Sequence, residues 1–103
     1  MNNDFVKSNE MQVKVKFFSG FRDKAGTSVT ELEADDIGKL LNLLAEDHKE
    51  LKDALLEESD SGLEIKSGVT VMVNGRNVRF LDGLDTELTD GDTVAIFPPV
   101  GGG

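Results

Sequence analysis

The C-terminal end of the chain carries the group with the clearest potential for chemistry. The sequence finishes with Pro98-Pro99 and then Val100-Gly101-Gly102-Gly103. Because glycine has no side chain, an enzyme cleft can close around the backbone of such a segment. We expect the terminal carboxylate of Gly103 to be ionised at neutral pH, since the reference pKa of a C-terminal carboxyl is about 3.5. An ionised carboxylate can attack the α-phosphate of ATP once a partner enzyme binds both.

The length of this tail suits a group that is presented to another protein. When extended, the segment from Val100 to Gly103 reaches about 13 Å. The two prolines before it favour an extended backbone that leads away from the preceding residues. A glycine-rich end is equally compatible with an inert tail on a plain protein-binding module, and the tail alone does not separate these two interpretations.

Side chains offer much less support for chemistry. The chain has no cysteine, which excludes disulfides, thiolate metal sites and a cysteine nucleophile. The single histidine, His48, follows a helical apolar stripe and is typical of a helix end. The acidic pairs fall at a predicted helix start and in a loop, and the spacing around Asp90-Gly91-Asp92 lacks the other ligands of a calcium loop. We therefore predict no metal site, no bound cofactor and no catalysis by the side chains of this protein.

Composition narrows the possible partners. The formal net charge is −9 at pH 7, which repels phosphate backbones and favours a protein partner with a basic groove over a nucleic acid. Solubility, or adaptation to a salty cytoplasm, would explain the acidity equally well. No apolar run approaches the roughly 20 residues of a membrane span, and the N-terminus lacks the pattern of a signal peptide. We therefore expect a cytoplasmic protein that does not bind membranes.

The 103 residues suit a single domain. Residues 1–10 are polar and lack periodicity, so we predict a flexible N-terminal extension there. The folded domain is expected over residues 11–99, followed by a flexible glycine tail at residues 100–103. We expect the free protein to be a monomer.

Alternating apolar and polar residues predict the strands that position the tail. The predicted strands are Gln12–Phe18, Thr27–Glu33, Val69–Val73, Asn77–Phe80 and Thr93–Phe97, with a hairpin turn at Asn74-Gly75. In the first strand Val13, Val15 and Phe17 share one face. In the second, Val29 is expected to point inward, with Leu32 as a further inward candidate.

The apolar period changes after the second strand. Residues at helical spacing follow the acidic pair Asp35-Asp36, which predicts a capped amphipathic helix with an apolar stripe of Ile37, Leu40, Leu41 and Leu44. A second, shorter helix is predicted around residues 51–55, and a polar loop at Glu57–Gly68.

The order of these elements predicts the fold class. The predicted order is strand, strand, helix, strand, strand, strand, which is typical of an α+β roll. We therefore expect a mixed sheet of about five strands with one main helix packed on one face and a short second helix beside it. The first and last strands are short, apolar and free of glycine, so we expect them to lie together at the centre of the sheet.

Three apolar residues break the inward and outward alternation of the strands. Phe18, Met72 and Phe97 are expected to point outward, where they would form an exposed apolar patch on the helix-free face. Such patches mark partner surfaces. The alternative is that Phe18 or Phe97 folds over a sheet edge into the core, because the pattern does not fix the register at strand ends.

Two stretches of the sequence resemble a known family. KVKFFSGFRDKAG, from Lys14 to Gly26, resembles the opening of the molybdopterin synthase small subunit. LTDGDTVAIFPPVGGG, from Leu88 to Gly103, fits the ending T-x-G-D-x-V-A-[FI]-F-P-P-V-x-G-G. From Met11 onward the chain is thus similar to the ubiquitin-like β-grasp sulfur carriers and small archaeal modifier proteins, the MoaD/ThiS-like group. The N-terminal extension departs from the small-subunit pattern, and the insertion around residues 57–68 is shared with the archaeal modifiers.

This resemblance implies a β-grasp fold and a carrier function. A ubiquitin-activating-type enzyme would adenylate the Gly103 carboxylate with ATP, and sulfur would displace AMP to leave a thiocarboxylate. That sulfur would serve molybdopterin synthesis in the large synthase subunit, or tRNA thiolation. In the modifier branch the same carboxylate would form isopeptide bonds to lysines of target proteins.

The resemblance also assigns the functional residues. Gly102 and Gly103 match the functional diglycine, and Gly101 takes the variable position before it. Phe18 and Phe97 match positions on the family's partner-facing surface. We expect the partner-binding residues to be Phe18, Met72, Phe97, Pro98, Pro99, Val100 and Gly101.

Overall fold

The structure is a computed structural model that describes residues 12–99. The elements in chain order are β1 (Gln12–Phe17), α1 (Gly20–Ala25), β2 (Val29–Glu33), α2 (Ile37–Asp47), α3 (Lys49–Leu55), β3 (Leu56–Ser59), β4 (Gly62–Ile65), β5 (Thr70–Val73), β6 (Arg76–Asn77) and β7 (Thr93–Phe97). Two 3-10 turns, Val78–Phe80 and Gly83–Asp85, lie between β6 and β7. The extension predicted for residues 1–10 and the tail predicted for residues 100–103 lie outside the described residues.

Five of the strands form one mixed sheet in the order β2-β1-β7-β5-β6. β1 and β7 pair in parallel, whereas the other neighbours pair antiparallel. The first and last strands of the chain therefore lie side by side, as predicted, with β7 in the middle of the sheet. As a result, Pro98 and Pro99, which precede the predicted tail in the sequence, follow directly from the central strand.

One face of the sheet is buried under the helices. Alternate strand residues point into this core, namely Val13, Val15, Phe17, Val71, Val73, Val94 and Ile96. The predicted stripe of α2 belongs to the same buried cluster through Ile37, Leu40, Leu41 and Leu44. The α2 N-terminus is capped by Asp36, whose carboxylate accepts a hydrogen bond of 2.7 Å from the Lys39 N–H. The predicted α+β roll is thus confirmed.

The prediction of a polar loop at Glu57–Gly68 is wrong. Most of it belongs to an antiparallel hairpin of β3 and β4, which forms a separate two-stranded sheet. Only the two ends of this hairpin, Leu56 and Ile65, are buried. The turn predicted after β1 likewise contains the short helix α1, which buries Phe21 and Ala25.

The inward position predicted for Val29 is also wrong. Val29 pairs with Lys16 of β1 and is 44% exposed, so it lies on the helix-free face. Leu32 pairs with Val13 and packs against the core, as proposed for it. Because successive strand residues alternate between faces, two residues three apart cannot both point inward.

A hydrogen-bonded cluster fixes the start of β7 against the turn that follows β5. The Asn74 amide donates to Asp92 Oδ1 at 2.9 Å, and the Thr93 N–H donates to Asn74 Oδ1 at 3.0 Å. The Thr89 N–H donates to Asp92 Oδ2 at 2.8 Å. Burial alone would raise the pKa of Asp92, but the hydrogen bonds from Thr89 and Asn74 outweigh it and hold the pKa below the usual 3.8.

We expect Asp92→Asn to lower the free energy of unfolding at pH 7 and to lose this effect in acid. A carboxyl whose pKa is lower in the folded state stabilises the fold above its unfolded pKa, and this contribution disappears as the pH falls through the folded value. Urea unfolding of both proteins, at pH 7 and well below the ordinary value of 3.8, measures the difference. The same loss at both pH values would show that the carboxylate charge does not stabilise β7.

Candidate functional site

The helix-free face of the sheet brings the predicted partner-binding residues together. Ala95 of β7 pairs with Lys16 on one side and with Met72 on the other, so that these three side chains form a row across the sheet. Phe97 lies two residues after Ala95 in β7, on the same face of the sheet, and pairs with Thr70. The chain beyond β1 continues the ladder, because the Phe18 N–H donates to the Ile96 carbonyl at 3.2 Å. Phe18 therefore lies beside Phe97.

The two phenylalanines stack on each other. Their ring centroids are 4.4 Å apart and their planes differ by 9°. Both rings are partly buried, and neither belongs to the buried core cluster, in which Phe17 and Phe21 take the aromatic positions. The stacked pair thus presents a flat aromatic surface on the helix-free face instead of closing the core from a sheet edge. We call Phe18, Met72, Ala95 and Phe97 the apolar patch.

A lysine lies in the same row of the sheet as the apolar patch. Lys14 and Lys16 are exposed on β1, and Lys14 pairs with Glu31 of the neighbouring edge strand. Within the row itself Lys16 is charged, whereas the residues paired along it, Val29, Ala95, Met72 and Asn77, are not. A basic groove in the partner, as predicted from the net charge, would have to meet the acidic surface outside the apolar patch.

The chain leaves the sheet beside the apolar patch. Pro98 and Pro99 follow Phe97 directly, with Pro98 partly buried and Pro99 exposed. The described part of the chain ends at Pro99. Val100, Gly101, Gly102 and Gly103, to which the sequence assigns the chemistry and part of the partner contact, lie outside the described residues. The stacked aromatic pair and the last described residues, Pro98 and Pro99, nevertheless share one end of the sheet.

One exposed aromatic residue, Phe80, had not been expected from the sequence pattern. Phe80, which was predicted in a strand, lies in a 3-10 turn and is 85% exposed, while Val78 in the same turn is buried. The strand ends early because Asn77 Oδ1 accepts a hydrogen bond of 2.9 Å from the Arg79 N–H. Asparagine favours such local bonds over a ladder, and this is the signal that could have indicated the turn.

The remaining candidates for side-chain chemistry stay apart. His48 ends α2 with its N–H bonded to the Leu44 carbonyl and precedes α3, so it joins two helices as a helix-end residue. Within residues 12–99 there is no group of three or more histidine or acidic side chains that could hold a metal ion. In the same range, no helix has the length and apolar character needed to cross a membrane.

The topology defines the class of protein. A mixed sheet with β1 and β7 parallel at its centre and one main helix across one face is the ubiquitin-like β-grasp fold. The chain matches the ThiS family over residues 15–103 and belongs to that family.

Curated relatives place the chain among carriers and modifiers. It is 38% identical over 96 residues to small archaeal modifier protein 3 of Haloferax volcanii, covering 90% of this chain and 100% of the relative. It is 37% identical over 93 residues to the molybdopterin synthase sulfur carrier subunit of Escherichia coli K12, covering 88% of this chain and 99% of the relative. These relatives are named as a modifier and as a sulfur carrier, not as catalysts.

Solved structures agree with this family. The solution structure of small archaeal modifier protein 1 from Methanosarcina acetivorans is similar with a TM-score of 0.82 and 35% identity, covering 92% of this chain and 99% of that one. The crystal structure of the Amycolatopsis orientalis BexX/CysO complex contains a chain that is similar with a TM-score of 0.77 and 29% identity, covering 88% and 99%. That CysO is therefore a similar protein captured with a partner.

Proposed function

We propose that this protein is a ubiquitin-like carrier whose C-terminal diglycine is activated by a separate ATP-dependent enzyme. One observation carries the proposal: the stacked pair of Phe18 and Phe97 lies on the helix-free face, and the glycine tail begins only two prolines after Phe97. A single partner can therefore hold the apolar patch and the tail at the same time. Membership of the ThiS family supports the proposal.

The chemistry takes place on the Gly103 carboxylate. An oxygen of this carboxylate attacks the α-phosphate of ATP in the activating enzyme, pyrophosphate leaves, and an acyl-adenylate forms. Sulfide then displaces AMP and leaves a thiocarboxylate, or a lysine amine of a target protein displaces AMP, loses a proton and forms an isopeptide bond. Both outcomes share the activated intermediate, so the same protein can serve as a sulfur carrier, as a modifier, or as both.

In this proposal the chain is not an enzyme. ATP is bound and used by the activating enzyme, and the protein itself holds no cofactor. Its partners are the ubiquitin-activating-type enzyme and then either the large subunit of molybdopterin synthase, an enzyme of tRNA thiolation, or lysines of target proteins. The free protein is a monomer that contacts neither nucleic acid nor membrane, and its cytoplasmic location stays a prediction.

Intact-mass analysis tests the proposal. The protein is incubated with ATP, sulfide and the activating enzyme of its host, and we expect the mass change of one sulfur-for-oxygen exchange at the C-terminus. A blot of host extracts separates the modifier role, because it would show conjugates of high mass that need Gly102 and Gly103. If the experiments show no mass change and no conjugates, the alternative of a protein-binding module with an inert tail would be supported.

A further inference from the structure

The last described residue of the chain rests on a glycine. Gly68 has a φ of +89°, and a Cβ built on it would lie 3.1 Å from Cβ and 3.2 Å from Cγ of Pro99. Such distances are shorter than ordinary van der Waals contacts, so the Pro99 ring occupies the space that a side chain at this position would need. Pro99 immediately precedes Val100, and the contact therefore lies at the root of the tail.

The turn that contains Gly68 is held firmly by its surroundings. Arg79 Nη2 donates to the Lys66 carbonyl at 3.0 Å and to the Val69 carbonyl at 3.1 Å, and so joins the two ends of the turn. The Val69 N–H donates to the Lys66 carbonyl at 3.1 Å, and the Lys66 N–H donates to the Leu55 carbonyl at 2.8 Å. These bonds tie the turn to α3 on one side and to the 3-10 turn after β6 on the other. We call residues 66–69 the tail platform.

From these contacts we propose that the tail platform sets the direction in which the C-terminal tail leaves the fold. In this proposal Gly68 packs against Pro99, and Arg79 is a positioning residue that holds the turn. A proline has a nearly fixed φ, so a ring held against a fixed turn determines where the next residue starts. A tail with a fixed root loses less conformational entropy when an enzyme binds it. The activating enzyme would then bind the protein at the apolar patch, while the tail platform directs Gly103 toward the enzyme's active site.

This inference rests on the proposed function, because aiming the tail matters only if an enzyme acts on its end. A small displacement of a reacting group is costly, since an error of about 1 Å can lower a rate roughly 100-fold. The tail platform touches Pro99 but lies outside the apolar patch, so its effect should fall more on the reaction within the complex than on docking.

A matched pair of glycine substitutions tests the role of Gly68. Gly68 and Gly91 both have a φ of +89°, but nothing lies within 4 Å of a Cβ built on Gly91. Gly68→Ala and Gly91→Ala therefore place an alanine at the same unfavourable φ, and only the Cβ of Gly68→Ala meets Pro99. In pyrophosphate exchange with the activating enzyme, we expect Gly68→Ala to lower kcat roughly tenfold and to change KM less than kcat. Equal kinetics of the two variants would overturn the proposal.

A second measurement needs no enzyme and keeps the two proposals distinguishable. The amplitude of backbone motion at the Val100 amide, from ¹⁵N relaxation, should be larger in Gly68→Ala than in Gly91→Ala. Arg79→Met removes both hydrogen bonds to the platform and should raise this amplitude too. Arg79→Lys should restore the native amplitude in part, because one nitrogen makes both bonds in the native protein.

If the motion at Val100 is unchanged in all variants, the proposed role of the tail platform is disproved. If Val100 responds but the wild-type protein is never adenylated, the proposed function fails instead.

Discussion

Removal of Gly102 and Gly103 should abolish ATP-dependent activation, while the free energy of unfolding should stay close to that of the full chain. We expect activation to fail because the remaining carboxylate, on Gly101, lies two residues short of the native C-terminus. Stability is retained because residues 12–99 contain the five-stranded sheet and the buried core cluster. Transfer of labelled AMP to the protein measures activation, and urea unfolding measures stability.

The matched control for this truncation removes the same number of residues from the other end. Deletion of Asn2 and Asn3 shortens the chain equally but leaves the diglycine in place. We expect this variant to accept AMP at the rate of the full chain. If the C-terminal truncation accepted AMP as well as the control does, the reactive group would not be the Gly103 carboxylate.

Phe97→Ala should weaken binding to the activating enzyme more than it weakens the fold. Large aromatic residues at the centre of an interface dominate binding, so we expect a loss of about 2 kcal/mol, or roughly 30-fold in Kd. The unfolding free energy should fall by about 1 kcal/mol, which corresponds to one lost aromatic pair outside the core. Titration calorimetry with the activating enzyme and urea unfolding give the two values.

Leu63→Ala provides the control for loss of an exposed apolar side chain. Leu63 is 43% exposed on β4, which belongs to the separate two-stranded sheet and not to the face of the apolar patch. We expect this variant to bind the enzyme normally. Equal losses of binding and stability in Phe97→Ala would instead indicate that the ring serves the fold alone.

The elements that position the site were predictable because their sequence periods are strong. β1 alternates without a break, and its buried residues Val13, Val15 and Phe17 were all predicted. The apolar stripe of α2 follows helical spacing after an acidic cap. The short, apolar first and last strands indicated a shared position in the sheet. Stacking of Phe18 on Phe97 was not predictable, since it depends on the relative position of two strand ends far apart in sequence.

Other parts of the fold have no local signal. Between its buried ends the hairpin of β3 and β4 is polar apart from Leu63, so no alternation marks it as strand. The assignment of Val29 failed because the face of an edge strand is decided by its pairing with β1 and not by its own sequence. The contact of Gly68 with Pro99 joins residues that are distant in sequence, and a lone glycine in a polar stretch reads only as a turn.

The most direct test of the account compares two forms of the full chain that differ only in the chemical group at the C-terminus. One form ends in the free Gly103 carboxylate, and the other, made by protein ligation, ends in the amide. Both retain the apolar patch, the tail platform and the tail length. Pyrophosphate exchange with ATP and the activating enzyme should proceed with the acid and be absent with the amide. Exchange at equal rates with both forms would contradict the account.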